Sequence, residues 1–144
     1  MTESQDQNAS DRQPPWKQNP YADHLRLPHA SVSDGNAKLE LVIEEIHLRP
    51  GGVVHGGLFA TLLDTVTGFA AFSIAPPGYE VLTMQLNMNM TATARLGERV
   101  IATAKAVHAG RRTAVVNGEI RLADGKLLTT GSGTFFFLDG KLVS

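Results

Sequence analysis

GGVVHGGLFATLLDTVTGFAAFSI, residues Gly51–Ile74, decides the fold. Glycines and one histidine open it, and an apolar run of about five helical turns follows. The spacing predicts a helix over Gly57–Ile74. Leu, Phe, Val and Ala wrap nearly its whole circumference, which predicts a helix buried on most sides. Ala60, Gly68 and Ala71 are small and let another element press close. One carboxylate, Asp64, stands in the middle. Its helical neighbours three and four positions away are Ala60, Thr61, Thr67 and Gly68, so no Lys or Arg partners it locally. A buried charge without a partner costs on the order of several kcal/mol, and such a group usually has a function or a distant partner. The plainer reading is a core aspartate satisfied by threonines and backbone.

Working outward, Met1–Gln18 is rich in Gln, Asn, Ser and Asp with a Pro-Pro pair, and predicts a loose tail with Trp16 as its one large apolar residue. The remainder, 19–144, is expected to be a single domain. Pro20–Leu27 suits a short helix stopped by Pro28. Ser33-Asp34-Gly35-Asn36 is a turn signal, and Lys38–Ile46 alternates as a first strand. After the helix, Ala75-Pro76-Pro77-Gly78 is a hard stop. Val81–Ala94 alternates strictly, with Leu82, Met84, Leu86, Met88 and Met90 on one face and Thr83, Gln85, Asn87, Asn89 and Thr91 on the other. Asn87 and Asn89 are candidates for a subunit interface. Arg99–His108, Thr113–Leu122 and Leu127–Leu138 are further strands, the last two joined by the hairpin turn Ala123-Asp124-Gly125. Gly131 and Gly133 mark a close approach. One strand, a long apolar helix and about four more strands give an α+β fold: an antiparallel sheet curled around one helix.

Composition narrows the function. The formal charge is -1, so neither nucleic acid nor an anionic membrane is the default partner. No cysteine is present, which excludes a disulfide, a thiolate metal site and a cysteine nucleophile. The five histidines are scattered without a carboxylate at ligand spacing, so no metal is expected. Asp64 and the threonines interrupt the longest apolar run, against a membrane span. The N-terminus is polar rather than basic then apolar, so no secretory signal is read and a soluble cytoplasmic protein is expected.

Glycines at a helix start leave backbone N–H groups free at the positive end of the helix dipole. Such an end suits a carbonyl oxygen that becomes negative during attack. Gly56-Gly57 and Asp64 are therefore two halves of an acyl-transfer site. Asp64 lies nine residues beyond His55, about 13.5 Å along the axis and roughly 180° around it. Gly56 and Asp64 are expected to face opposite ways and to be too far apart to grip one carbonyl within a chain. Two antiparallel copies of the helix across a two-fold axis would bring them together, so a dimer is expected.

The pattern Gly52-x-x-His55-Gly56-Gly57, then Asp64 in the helix, then strands with Gly97-Glu98 and Gly110-Arg111-Arg112, resembles the hotdog-fold acyl-CoA thioesterases. Within the 4-hydroxybenzoyl-CoA thioesterase superfamily it is most similar to the phenylacetate-degradation (PaaI-like) type. The resemblance covers roughly Pro20 to the C-terminus. It implies a helix "sausage" in a sheet "bun", homodimers and commonly homotetramers, and hydrolysis of acyl-CoA thioesters with no cofactor, coenzyme A being part of the substrate. Carried over, Asp64 matches the catalytic carboxylate, as general base or nucleophile. Gly56 matches the glycine whose N–H polarises the carbonyl, His55 the histidine beside it, and Thr83 the hydroxyl that helps hold the attacking water. Gly57 stands at the substrate. Six residues before the histidine, relatives often carry Asn that orients the carbonyl or the water; here Arg49 stands, a candidate contact for a phosphate or an acyl carboxylate.

Each assignment has a structural counterpart. His55 serves equally as a cap of the loop. Gly56-Gly57 permits close packing. Arg111 and Arg112 either clamp the CoA phosphates or form a solvated turn. The Met84, Met88 and Met90 row reads as packing before it reads as a substrate groove. The leading expectation is a thioesterase for a small, medium-chain or aromatic acyl-CoA. The alternative is a non-catalytic acyl-CoA-binding or assembly protein, which Arg49 keeps open. A hotdog hydratase fits poorly, since His55 and Asp64 lie at different ends of one helix segment.

Overall fold

The computed structural model describes residues 19–142; the tail expected over Met1–Gln18 lies outside them. In chain order the elements are α1 (Pro20–His24), β1 (Ser31–Ser33), β2 (Asn36–Val42), a 3-10 turn (Glu45–His47), β3 (Leu48–Arg49), β4 (Val53–Val54), α2 (Gly56–Ser73), β5 (Tyr79–Met90), β6 (Arg99–Ala109), β7 (Thr113–Leu122), β8 (Leu127–Asp139) and a final 3-10 turn (Gly140–Leu142). Six strands form one sheet in the order β1-β2-β6-β7-β8-β5, every neighbouring pair antiparallel. The sheet curls around α2, which contacts all six strands. This is the hotdog architecture expected of the sequence.

Helix α2 begins where His55 caps it. The His55 backbone is extended, its Nδ1 accepts the Gly57 N–H at 2.8 Å, and its carbonyl accepts the Leu58 N–H at 2.9 Å. At the far end Ser73 Oγ donates to the Ala70 carbonyl (2.7 Å) and accepts the Gly35 N–H (2.8 Å), tying the last turn to the β1–β2 hairpin. Leu58, Phe59, Leu62, Leu63 and Val66 are buried against Leu39, Leu41, Val100, Val116, Ile120 and Phe135. Each large apolar side chain buried in this way contributes about 1.5–3 kcal/mol. The sheet comes this close through glycines. A Cβ at Gly118 would lie 2.7 Å, and one at Gly131 2.9 Å, from the methyls of Leu63. By length and composition alone α2 could cross a membrane, but 56% of it is buried inside the protein, so the core accounts for its apolarity.

Burial of α2 is less complete than its composition predicts. Thr61, Asp64, Thr65, Gly68 and Phe72 form a half-exposed stripe that the sheet covers only in part. The first strand is Asn36–Val42 rather than Lys38–Ile46, because the chain turns through Glu45–His47. His47 makes that turn: it is 1% exposed, its Nδ1 accepts the Glu44 N–H (2.9 Å), and its Nε2 donates to the Leu25 carbonyl (2.6 Å). Helix α1 stops at His24, earlier than Leu27, and β1 and the β3–β4 hairpin are too short to leave a periodic signal. Strands β6, β7 and β8 follow as hairpins, but β5 pairs with β8 and forms an edge of the sheet.

Strand β5 also breaks its expected alternation. Its register against β8 shifts between Thr83 and Gln85, with Met84 as the extra residue. Val81 and Thr83 therefore face α2 together with Leu86 and Met88, opposite Phe137, Phe135, Gly133 and Gly131 of β8. Leu82 (42% exposed) and Met84 (65%) point away. The strand ends at Met90, so Thr91–Ala94 lies outside it.

Candidate active site

The bulge at Met84 builds one half of the candidate site. By turning Thr83 inward it brings Thr83 Oγ1 to 2.7 Å from Asp64 Oδ1, donating its proton. Asp64 is half-buried rather than buried, and its distant partner is this neutral hydroxyl. The pair opens on a groove of about 310 Å³ between α2 and β5, lined also by Tyr21, Phe69, Phe72, Val81 and Phe135. Among the lining residues none is cationic; Glu80 is the other carboxylate. Asp64 Oδ2 has no protein partner among the described residues. A hydroxyl-bonded carboxylate with one free oxygen, beside aromatic surface, can take a proton from water while an apolar group lies next to it.

The other half lies at the start of α2. Gly56 lines a groove of about 240 Å³ together with Arg49, Val53, Val54, Phe59, Met90, Ala92 and Thr93. The Gly57 N–H is occupied by His55 and so is not a donor toward this groove. Among the described residues the Gly56 N–H has no acceptor, and it stands at the positive end of the helix. His55 is exposed and acts as the cap. Arg49 is exposed and donates from Nη1 to the Pro50 carbonyl at 2.6 Å.

The two halves stay apart within the chain. Gly56 and Asp64 are eight residues apart, about 12 Å along the axis and about 80° around it. The expectation that they face opposite ways is thus corrected: distance separates them, and they line different grooves. Arg111 and Arg112 lie on the exposed β6–β7 turn, where the Arg112 carbonyl accepts the Phe137 N–H at 2.7 Å. They line neither groove, and the strand register puts them at the Leu82–Phe136 end of the sheet. Phe69 and Phe72, one turn and two turns beyond Asp64, were legible as neighbours of the carboxylate but not singled out. Tyr21 was not legible. It reaches the groove across forty positions of sequence, its hydroxyl 3.0 Å from Thr61 Oγ1.

Comparison with known proteins bears on the family and the fold. A family model described as "Thioesterase superfamily" matches residues 51–129, from the glycines before His55 into β8. Human acyl-coenzyme A thioesterase 13 is 30% identical over 112 residues, covering 76% of this chain and 78% of its own. The structure of a hypothetical thioesterase with coenzyme A from Streptococcus pneumoniae is 25% identical with a TM-score of 0.69, covering 74% of this chain and 80% of that one. The E. coli PaaI protein from the phenylacetic acid degradation operon shares the fold, with a TM-score of 0.78 at 22% identity over 85% of this chain and 87% of that one. With its central helix, its wrapped sheet and more than half of its length matched, this chain belongs to the thioesterase superfamily and is an enzyme of the thioester-hydrolase class.

Proposed function

We propose that the protein hydrolyses the thioester of an acyl-CoA with a small, medium-chain or aromatic acyl group, at two equivalent sites each shared by two subunits. The observation that carries this is the Thr83 Oγ1–Asp64 Oδ1 contact of 2.7 Å at the mouth of an aromatic-lined groove. In the reaction, water attacks the thioester carbonyl carbon while Asp64 takes its proton. The carbonyl oxygen becomes negative against the Gly56 N–H of the other subunit. Thr83 spends its one hydrogen on Asp64, which leaves its oxygen lone pairs to orient the water. Collapse of the tetrahedral intermediate expels the CoA thiolate, which takes a proton, and leaves the carboxylic acid. The same geometry serves a nucleophilic Asp64, with water entering at a second step. The reaction is written without metal or cofactor, coenzyme A entering as part of the substrate.

Self-association has its own support. Strand β5 is an edge of twelve residues bearing exposed Leu82, Met84 and Met90, a surface that invites a further strand. The half-exposed stripe of α2 lies on the same side as the Asp64 groove. We read the homodimer as forming there, and the polar outer face with Asn87, Asn89, Asn117 and Ser132 as joining dimers into a tetramer. His55 positions the Gly56 N–H through its cap. Arg49 contacts a phosphate or an acyl carboxylate, and Arg111 and Arg112 the CoA phosphates. Residues 19–144 act as one domain in a soluble, cytoplasmic protein.

A thiol-release assay over a panel of acyl-CoAs, with Asp64→Asn as the control, tests the reading. Turnover of at least one acyl-CoA that falls about 100- to 10,000-fold in the variant is expected. Tight acyl-CoA binding without turnover by the wild type would instead favour the non-catalytic binding role that Arg49 keeps open.

A further inference from the structure

We infer that Tyr21 is the specificity-determining wall of the Asp64 groove and sets the length of acyl group it admits. Helix α1, which carries it, has five residues and none is buried. A helix this short is not stable by itself. Tyr21 is 64% exposed, so packing does not hold it either. Its hydroxyl holds it, 3.0 Å from Thr61 Oγ1. Thr61 donates its own hydrogen to the Gly57 carbonyl at 2.9 Å, and a hydroxyl has only one, so Tyr21 is the donor. Thr61 precedes Asp64 by three positions on the same face of α2. The phenol ring is thereby fixed in the groove of about 310 Å³ that Asp64 and Thr83 open on. Behind the ring, Asn19 Oδ1 caps α1 through the Ala22 N–H (3.2 Å), and buried His47 grips the Leu25 carbonyl.

The other aromatic walls differ in kind. Phe69 and Phe72 belong to α2, and Phe135 to β8, which are packed together in the core. Among the aromatic side chains of the groove, Tyr21 alone rides on an element without a buried residue. It can be enlarged or removed without reshaping the core, so the size of the groove on that side is set by one side chain. The inference rests on the acyl-CoA reading.

The test measures kcat/KM by thiol release over straight-chain acyl-CoAs of increasing length, for wild type, Tyr21→Ala, Tyr21→Trp and Tyr21→Phe. Each methylene that finds apolar cover is worth about fourfold. Tyr21→Ala is expected to move the optimum to longer chains, raising the long-to-short ratio about fifteenfold where two further methylenes are accommodated. Tyr21→Trp, whose indole N–H can still donate to Thr61, moves it to shorter chains, and Tyr21→Phe, without the hydroxyl that fixes the ring, moves it toward longer chains but less far than Tyr21→Ala. Opposed shifts cannot come from a general loosening of α1. An unshifted optimum in both Ala and Trp variants, or a shift of both in one direction, overturns the assignment. A wild type that turns over no acyl-CoA brings down the acyl-CoA reading itself, and an active wild type with indifferent variants brings down the Tyr21 inference alone.

Discussion

Two inactive variants should restore activity when mixed. Asp64→Asn removes the proposed base and is expected to lower turnover about 100- to 10,000-fold. Gly56→Val fills the oxyanion side. A Cβ on Gly56 would lie 3.2 Å from Met90 Sδ, so the two further carbons of valine enter a groove of about 240 Å³. The Gly56 backbone is not in the left-handed region and Met90 is flexible, so the variant is expected to fold. Gly57 would be a poorer choice, since a Cβ there lies 2.9 Å from His55 Nδ1 and disturbs the cap. With about 12 Å of helix between Gly56 and Asp64, each site in a two-fold dimer takes one residue from each subunit. A heterodimer then has one site with both lesions and one with neither. Equal amounts exchanged to equilibrium give about half heterodimers, each with one working site of two, hence about one quarter of wild-type specific activity. Differential tags verify exchange, and thiol release is read before and after. Verified heterodimers with activity at the parental level would refute the shared site, because a site within one chain is broken in every subunit.

Further outcomes follow from particular contacts. Thr83→Val should lower kcat/KM about tenfold, the lower end of the 1.5–3 kcal/mol of a hydrogen bond to a charged group because both partners reach solvent, while Thr83→Ser keeps most activity. Arg111→Ala and Arg112→Ala should raise KM for acyl-CoA but not for an acyl-pantetheine; equal effects on both substrates would assign these residues to structure. Thr129 Oγ1 is buried without a partner among the described residues, so Thr129→Val should raise stability by about 1 kcal/mol, measured by chemical denaturation. Arg121 hydrogen-bonds Glu119 and holds its carboxyl below the ordinary range, so this pair stabilises the fold above the unfolded carboxylate value and ceases to as pH falls through the depressed one. Glu119→Gln should therefore lower Tm slightly at pH 7, the pair being largely solvated, and match wild type in strong acid.

The fold was legible because α2 carries an apolar run that only a core accommodates, and because the His55-Gly56-Gly57 start announces a helix end. The turn at Asp124-Gly125 and the glycines of β8 were equally plain. The small hairpin of β3 and β4 was not, since two residues show no period. His47 was also silent: its partners are backbone groups of Glu44 and Leu25, and backbone partners leave no mark in sequence. Position 83 was reached by resemblance, while the alternation placed it on the wrong face. Only a ladder partner, Phe135 on β8, fixes where the bulge falls, and that pairing is made forty residues or more away.

The errors about α2 and β5 have a common physical form. Periodicity sorts residues into core and solvent, and a face that the proposed dimer would cover fits neither class. The apolar stretch predicts Asp64, Gly68 and Phe72 inside, and they sit half-open because the sheet of their own chain covers them only in part. The alternation puts Leu82 and Met84 on one face with Leu86, and the bulge turns them to the other, where they stand exposed on an edge strand. Ordinary monomer surface explains scattered apolar residues one at a time. It does not explain a half-exposed helix stripe, a twelve-residue open edge and the proposed half-site at Asp64 lying together. A second copy laid against β5 and the stripe of α2 would cover the edge, desolvate Asp64 and Thr83, and bring a Gly56 to the groove that lacks one. The surface left open in the single chain and the chemistry left incomplete there ask for the same partner.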